Sequence, residues 1–176
     1  MRVPILAALA LVCLAAAASA QAPPVLQTLD YANTRYSDLA GIDAGNVSRL
    51  KVAWTFSTGV LRGHEGAPIV VGNRMFVHTP FPNVVYALDL DHDGRILWRY
   101  APRQDASVIA VMCCDTVSRG LAYADGRLFL QLADTTVVAL DPESGEVLWS
   151  VLVSPRAGSR PTPQRSCRCT ASSSSA

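Results

Sequence analysis

The sequence predicts an all-β fold, a partial β-propeller of four-stranded antiparallel blades with Trp motifs. Three observations carry this reading. Short runs rich in Val, Leu, Phe and Tyr between residues 67 and 151 are separated by Gly, Asn and Asp turns, which is how strands are punctuated. The runs form one pattern that occurs twice: Phe76 matches Phe129, 53 residues on, Asp89 matches Asp141, 52 on, and Trp98 matches Trp149, 51 on. Each copy holds four such runs and ends on a Trp, and a period of roughly 40–50 residues with four strands per unit marks a propeller blade.

The first copy predicts strands over 68–71, 75–78, 84–89 and 96–100, with a Gly72-Asn73-Arg74 turn after the first. The second predicts strands over 120–123, 128–131, 137–141 and 147–151, with turns at Asp125-Gly126-Arg127 and Pro142-Glu143-Ser144-Gly145. Val52-Ala53-Trp54-Thr55-Phe56 reads as an earlier closing strand, its Trp 44 residues before Trp98. One four-stranded sheet cannot bury both of its faces, so neighbouring blades must stack on it, each Trp packing between them. Propellers have about four to eight blades, so two units and a fragment read as the start of a longer ring. A small independent β-sandwich is the alternative, and it would not require the long-range repeat.

Composition divides the chain of 176 residues into three parts. The formal net charge of +1 argues against a nucleic-acid partner, which draws on a strong basic excess. Residues 1–20 carry Arg2, an apolar run from Ile5 to Ala18 and the small residues Ala18-Ser19-Ala20, the layout of a cleaved signal peptide. The run is short for a membrane span, and Gln21-Ala22-Pro23-Pro24 brings no stop-transfer charge. The mature protein is therefore expected in the periplasm, where disulfides form. Residues 21–153 carry ten basic and fourteen acidic side chains, a net −4. Residues 154–176 carry seven Ser, three Pro, four Arg and no acid, with no apolar periodicity, and read as a disordered tail. Cys167 and Cys169 there are too few ligands for a metal site.

Several local motifs bear on chemistry. Asp89-x-Asp91-x-Asp93-Gly94 opens like a calcium loop, but the twelfth position, which needs a bidentate Glu, is Tyr100; a solvated turn is expected. Cys113-Cys114 leaves three outcomes open: both reduced, each paired elsewhere, or joined to each other. Joining is difficult, because a trans peptide holds neighbouring Cα atoms about 3.8 Å apart, short of the roughly 4.4–6.8 Å usual for disulfides. Glu65, between His64 and Gly66 on a loop entering a strand, can aim a carboxylate at a ligand or stand as an exposed charge. Arg119 can meet an anionic ligand or pair with a neighbour such as Asp115. His64, His78 and His92 have no metal-site spacing, and no hydrolase triad motif occurs.

Taken together, Ser37 to Val153 resembles the N-terminal part of the pyrroloquinoline-quinone (PQQ)-dependent methanol and ethanol dehydrogenases. The pieces are Trp54-Thr-Phe-Ser-Thr-Gly59, Gly63-His-Glu-Gly66, His78-Thr-Pro-Phe-Pro-Asn83, Val85-Tyr-Ala-Leu-Asp89, Cys113-Cys-Asp115, Arg119-Gly-Leu-Ala-Tyr123 and Ala133 to Asp141, in family order. The context Val111-Met112-Cys113-Cys114-Asp115 is most similar to the lanthanide-type methanol dehydrogenases.

The resemblance implies an eight-bladed propeller with the quinone in its central funnel. It implies a Cys113–Cys114 vicinal disulfide lying flat against the quinone, with Glu65 sharing hydrogen bonds at its polar edge. Arg119 would donate to the reactive carbonyl oxygens, and Val117 would line the pocket. It implies a primary alcohol substrate, a cytochrome c electron acceptor, calcium or a lanthanide as the metal, and a possible homodimer. The family's metal ligands and general-base Asp fall beyond Val153, and none of those motifs occurs here, so no catalytic or metal-binding residue is assigned to this chain. A single-base frameshift near 152–154 is the expected origin of the tail, because suitable codons read in another frame spell a blade-like continuation. The chain is then an N-terminal fragment expected to lack turnover. The competing class is a non-enzymatic β-propeller scaffold, which would carry the repeat without Glu65, Cys113-Cys114 and Arg119 together.

Overall fold

The computed structural model describes residues 25–153 apart from Gln27 and Cys113. The expected signal peptide (1–20), the expected tail (154–176) and the Cys113–Cys114 pairing, for want of Cys113, lie outside the described residues.

Eight strands form two sheets of four. The first contains β1 (Ile69–Val71), β2 (Arg74–His78), β3 (Val85–Asp89) and β4 (Arg95–Tyr100), paired in sequence order and all antiparallel. The second contains β5 (Leu121–Ala124), β6 (Arg127–Gln131), β7 (Thr136–Leu140) and β8 (Val147–Leu152), in the same arrangement. The repeat extends to defects: the β3–β4 ladder is bulged at Ala87/Leu88 and the β7–β8 ladder at Ala139/Leu140. In each case the bulge follows an Ala facing the closing Trp, Ala87↔Trp98 and Ala139↔Trp149. The Asp125-Gly126 loop between β5 and β6 has φ of 49° and 70°, the doubly positive pattern that matches the twist of a two-residue hairpin.

The Asp-rich turn between β3 and β4 is one turn of 3-10 helix, Leu90–His92. Asp89 accepts hydrogen bonds from the Asp91 amide (3.0 Å) and the Arg95 guanidinium (3.1 Å), and its Oδ2 lies 2.7 Å from His92 Nδ1. These contacts, led by the His92 hydrogen bond, hold the Asp89 carboxyl below its usual range. Asp89 thus serves the turn itself, while Asp91 accepts from the Asn73 side-chain amide of the β1–β2 turn.

Alternation along the strands divides the core into two layers. Phe76, Val85 and Ala87 point one way and meet Leu121, Leu128, Leu130, Val138 and Leu140 of the second sheet. Val84, Tyr86 and Leu88 lie behind them and are covered by Trp54 and Phe56. Phe56 packs edge-on against Tyr86, ring centres 5.1 Å apart. Here one expectation is corrected. Residues 52–56 join neither sheet: they run along the back of the first one, with no ladder partner among the described residues. Their apolar side chains read as a strand because Trp54 and Phe56 alternate inward, but a strand also needs a neighbour's backbone to bond.

The closing Trp residues join the layers. Trp98, in β4, packs against Phe76 at 5.8 Å and donates from its indole nitrogen to the Pro142 carbonyl (3.0 Å) of the second sheet's last turn. Gly145 in that turn has φ 74°, and a Cβ there would lie 2.6 Å from the indole. Trp54 uses Gly94 of the first sheet in the same way: φ is 72° and a Cβ would lie 2.7 Å from its ring. No helix among the described residues is long and apolar enough to cross a membrane.

Candidate functional site

Glu65 stands on the loop entering β1 and Arg119 on the loop entering β5, and β1 lies against β5. Equivalent loops of neighbouring repeats therefore deliver the two side chains to one place. Arg119 Nη1 is 3.3 Å from Glu65 Oε2, with the side chains 76% and 46% exposed. An ion pair this open contributes on the order of 0.2–1 kcal/mol. It costs little to release toward a ligand. Asp115 does not pair with Arg119; its Oδ1 takes the Arg62 guanidinium at 3.0 Å instead. His64 is held locally, Nε2 3.0 Å from Thr58 Oγ1 and Nδ1 2.8 Å from the Arg62 carbonyl oxygen.

Beside the pair lies a cleft of about 340 Å³ lined by Asn83, Met112, Val117, Ser118, Arg119 and Gln131, among others. Val117 is thus on its wall. Glu65 is outside the lining and joins the cleft through Arg119. The loop before it is conformationally unusual. Cys114 and Asp115 have φ of 62° and 63°, consecutive left-handed positions without glycine. Each such residue costs of order 1–3 kcal/mol and persists where the surroundings impose it. Here the Phe81 amide donates to the Thr116 carbonyl (2.9 Å), and Arg62 holds Asp115.

The cleft floor is fixed from below. Asn83 is buried and left-handed (φ 60°), and its Oδ1 accepts from the Ala133 amide (3.1 Å) and Gln104 Nε2 (3.0 Å). Gln104 Nε2 also donates to the Pro82 carbonyl (2.8 Å), and its Oε1 accepts from Ala133 N (3.0 Å). One amide pair thus ties the β2–β3 loop to the end of β6. His78, 4% exposed, has Nε2 3.3 Å from the Ser118 carbonyl oxygen. Burial holds its pKa below the ordinary histidine value, helped by the charge of His64 and opposed by the Ser118 hydrogen bond.

Of the residues singled out from sequence, Glu65, Val117 and Arg119 converge. Cys114 is exposed on the adjoining loop, and Cys113 lies outside the described residues. Sequence reading missed His78, Asn83 and Gln104. A signal existed for His78: it is a polar residue closing an apolar strand, and its counterpart in the second repeat, 53 residues on, is Gln131, which also lines the cleft. Among the described residues, no three His, Cys, Asp or Glu side chains gather as a metal site.

A family profile described as PQQ: glucose/ethanol/alcohol dehydrogenase, beta-propeller domain, matches residues 27–127, more than half of the chain. The chain is 71% identical over 130 residues to a lanthanide-dependent methanol dehydrogenase of Methylorubrum extorquens, covering 74% of this chain and 22% of that protein. It is 49% identical over 131 residues to a methanol dehydrogenase [cytochrome c] subunit 1 of Paracoccus denitrificans, covering 71% and 21%. The structure superposes on a europium-containing methanol dehydrogenase with a TM-score of 0.72 and 52% identity, covering 74% of this chain and 23% of that one. The chain spans about a fifth of the length of these relatives. With the repeat, the inter-sheet Trp and the profile match in agreement, the chain belongs to the PQQ-type glucose/ethanol/alcohol dehydrogenase β-propeller family.

Proposed function

We propose that this chain supplies part of the quinone-binding wall of a periplasmic PQQ-dependent alcohol dehydrogenase that oxidises a primary alcohol to an aldehyde and passes electrons to a cytochrome c. The observation that carries the reading is the Arg119–Glu65 pair, two blade-entry loops delivering a donor and an acceptor 3.3 Å apart beside an open cleft. The residues present fit such a group. A planar, polyanionic quinone needs a cation, an acceptor at its edge and an apolar wall, which Arg119, Glu65, and Val117 with Met112 provide.

A bound quinone would supply the two-electron acceptor for alcohol oxidation, held by Arg119, Glu65 and Val117. Arg119 would donate hydrogen bonds to the quinone's carbonyl oxygens, favouring negative charge there. Glu65 holds the Arg119 guanidinium in orientation and accepts from polar hydrogens at the ligand edge. Val117 and Met112 keep water from one side. Cys113 and Cys114, joined as a vicinal disulfide, would lie against one face of the quinone. The metal, calcium or a lanthanide, and the general base are carried outside this chain, so the chain by itself does not turn over, and a homodimer belongs to the longer protein.

Titrating the purified chain with PQQ while following Trp fluorescence tests the reading. Saturable quenching that weakens in Arg119→Ala and Glu65→Ala supports it; identical curves for parent and variants would refute it. Alcohol-dependent dye reduction by this chain, given quinone and metal, would overturn the assignment of turnover to the longer protein. Non-reducing mass spectrometry reads the Cys113–Cys114 bond, and two free thiols would remove that contact.

A further inference from the structure

We propose that His78 is a positioning residue that sets the distance between Glu65 and Arg119; this rests on the quinone-binding reading above. His78 closes β2 and is buried, yet its ring touches the backbone next to both site residues. On one side is Gly66, where an added Cβ would overlap the ring at Cε1 and Nε2. That same point lies 3.2 Å from the Gly120 Cα. On the other side the ring meets the Ser118 carbonyl at 3.3 Å. Glu65 precedes Gly66, and Arg119 sits between Ser118 and Gly120, so one imidazole is wedged between the two loops that hold the pair.

The chemistry specifies a histidine. A carbonyl oxygen can only accept, so Nε2 carries the proton and Nδ1 is left as an acceptor. Nδ1 is buried with no hydrogen-bond partner among the described residues. A buried polar atom without a partner calls for a reason in the fold. Here that is a rigid, flat spacer able to donate one hydrogen bond at a fixed reach. Absence of a side chain at Gly66 is the complementary half of the device.

The test compares His78→Phe, which keeps a flat ring and deletes the donor, with His78→Gln, which restores an N–H near the same reach. PQQ affinity is measured by fluorescence titration and local opening by hydrogen exchange read by mass spectrometry. His78→Phe is expected to weaken quinone binding by about tenfold or more, the scale on which outer-shell partners act. Exchange should quicken over residues 62–67 and 116–121 while β6 and β7 stay protected. His78→Gln is expected to restore both readouts. Unchanged affinity and protection in His78→Phe would overturn the proposal. So would an equal loosening of β6 and β7 in both variants, since that marks a general packing role. If the parent takes up no quinone, the functional reading falls, while the exchange pattern still decides whether His78 couples the two loops.

Discussion

Replacing Gly145 by Ala separates two costs that usually arrive together. Gly145 and Gly126 have almost the same backbone, φ 74° and 70°. A Cβ at 126 would meet nothing within 4 Å, whereas at 145 it would lie 2.6 Å from Trp98. Left-handed backbone costs a residue with a Cβ roughly 1–2 kcal/mol, and both variants carry that cost. Gly145→Ala must also displace the indole. That movement gives up the Trp98–Pro142 hydrogen bond, about 0.5–1.5 kcal/mol. It also gives up the tilted contact with Phe76, about 0.5–1.5 kcal/mol. The gap between the variants is therefore about 1–3 kcal/mol, or about 1 M in urea midpoint at a slope of about 2 kcal/mol per M. Urea unfolding followed by far-ultraviolet circular dichroism measures it at low protein concentration. Equal midpoints for Gly145→Ala and Gly126→Ala would refute the view that Trp98 needs the empty space over Gly145.

Three further outcomes are expected. Because burial depresses the His78 pKa, the folded state binds fewer protons than the unfolded one below about pH 6.5. Stability should be full above that pH and fall as pH drops toward the folded-state value, and His78→Gln should flatten unfolding midpoints across this window. Asn83→Ala should lose about 1–3 kcal/mol from the two hydrogen bonds that Asn83 Oδ1 accepts, from the Ala133 amide and from Gln104 Nε2, each donor keeping one other acceptor. Asn83→Gly, which relieves the left-handed backbone but still lacks the amide, should remain clearly below the parent in urea midpoint. Arg62→Ala should change stability by less than about 1 kcal/mol, because the Arg62–Asp115 pair is half exposed; a larger loss would mean that it holds the Cys114–Asp115 loop in place.

Much of the fold was legible because strands and turns are local. Phe76, Asp89 and Trp98 recur as Phe129, Asp141 and Trp149, and the eight strands fall where those repeats put them. The failure at 52–56 is equally physical: alternation of Trp54 and Phe56 reports a buried face, and a buried face can lie on a sheet without joining its ladder. At the site, Glu65 and Arg119 were visible as charges on glycine-flanked loops, but their meeting depends on β1 lying beside β5, which no local pattern encodes. The same holds for Arg62 taking Asp115 in place of Arg119. Asn83 and Gln104 were hidden because an amide in a loop looks alike whether it faces water or bridges two sheets.

The two sheets meet front to back. Phe76 of the first sheet faces the second, while its counterpart Phe129 faces away and packs with Trp149 on the far side. The surface one sheet offers is therefore not the surface the next receives, and the contact is head-to-tail, with no two-fold axis within it. Operations of this kind either close into a ring after enough steps or continue as an open series. On the first sheet the receiving back is already held by Trp54 and Phe56, so a second copy seats that sheet on the Phe129–Trp149 face only by displacing them.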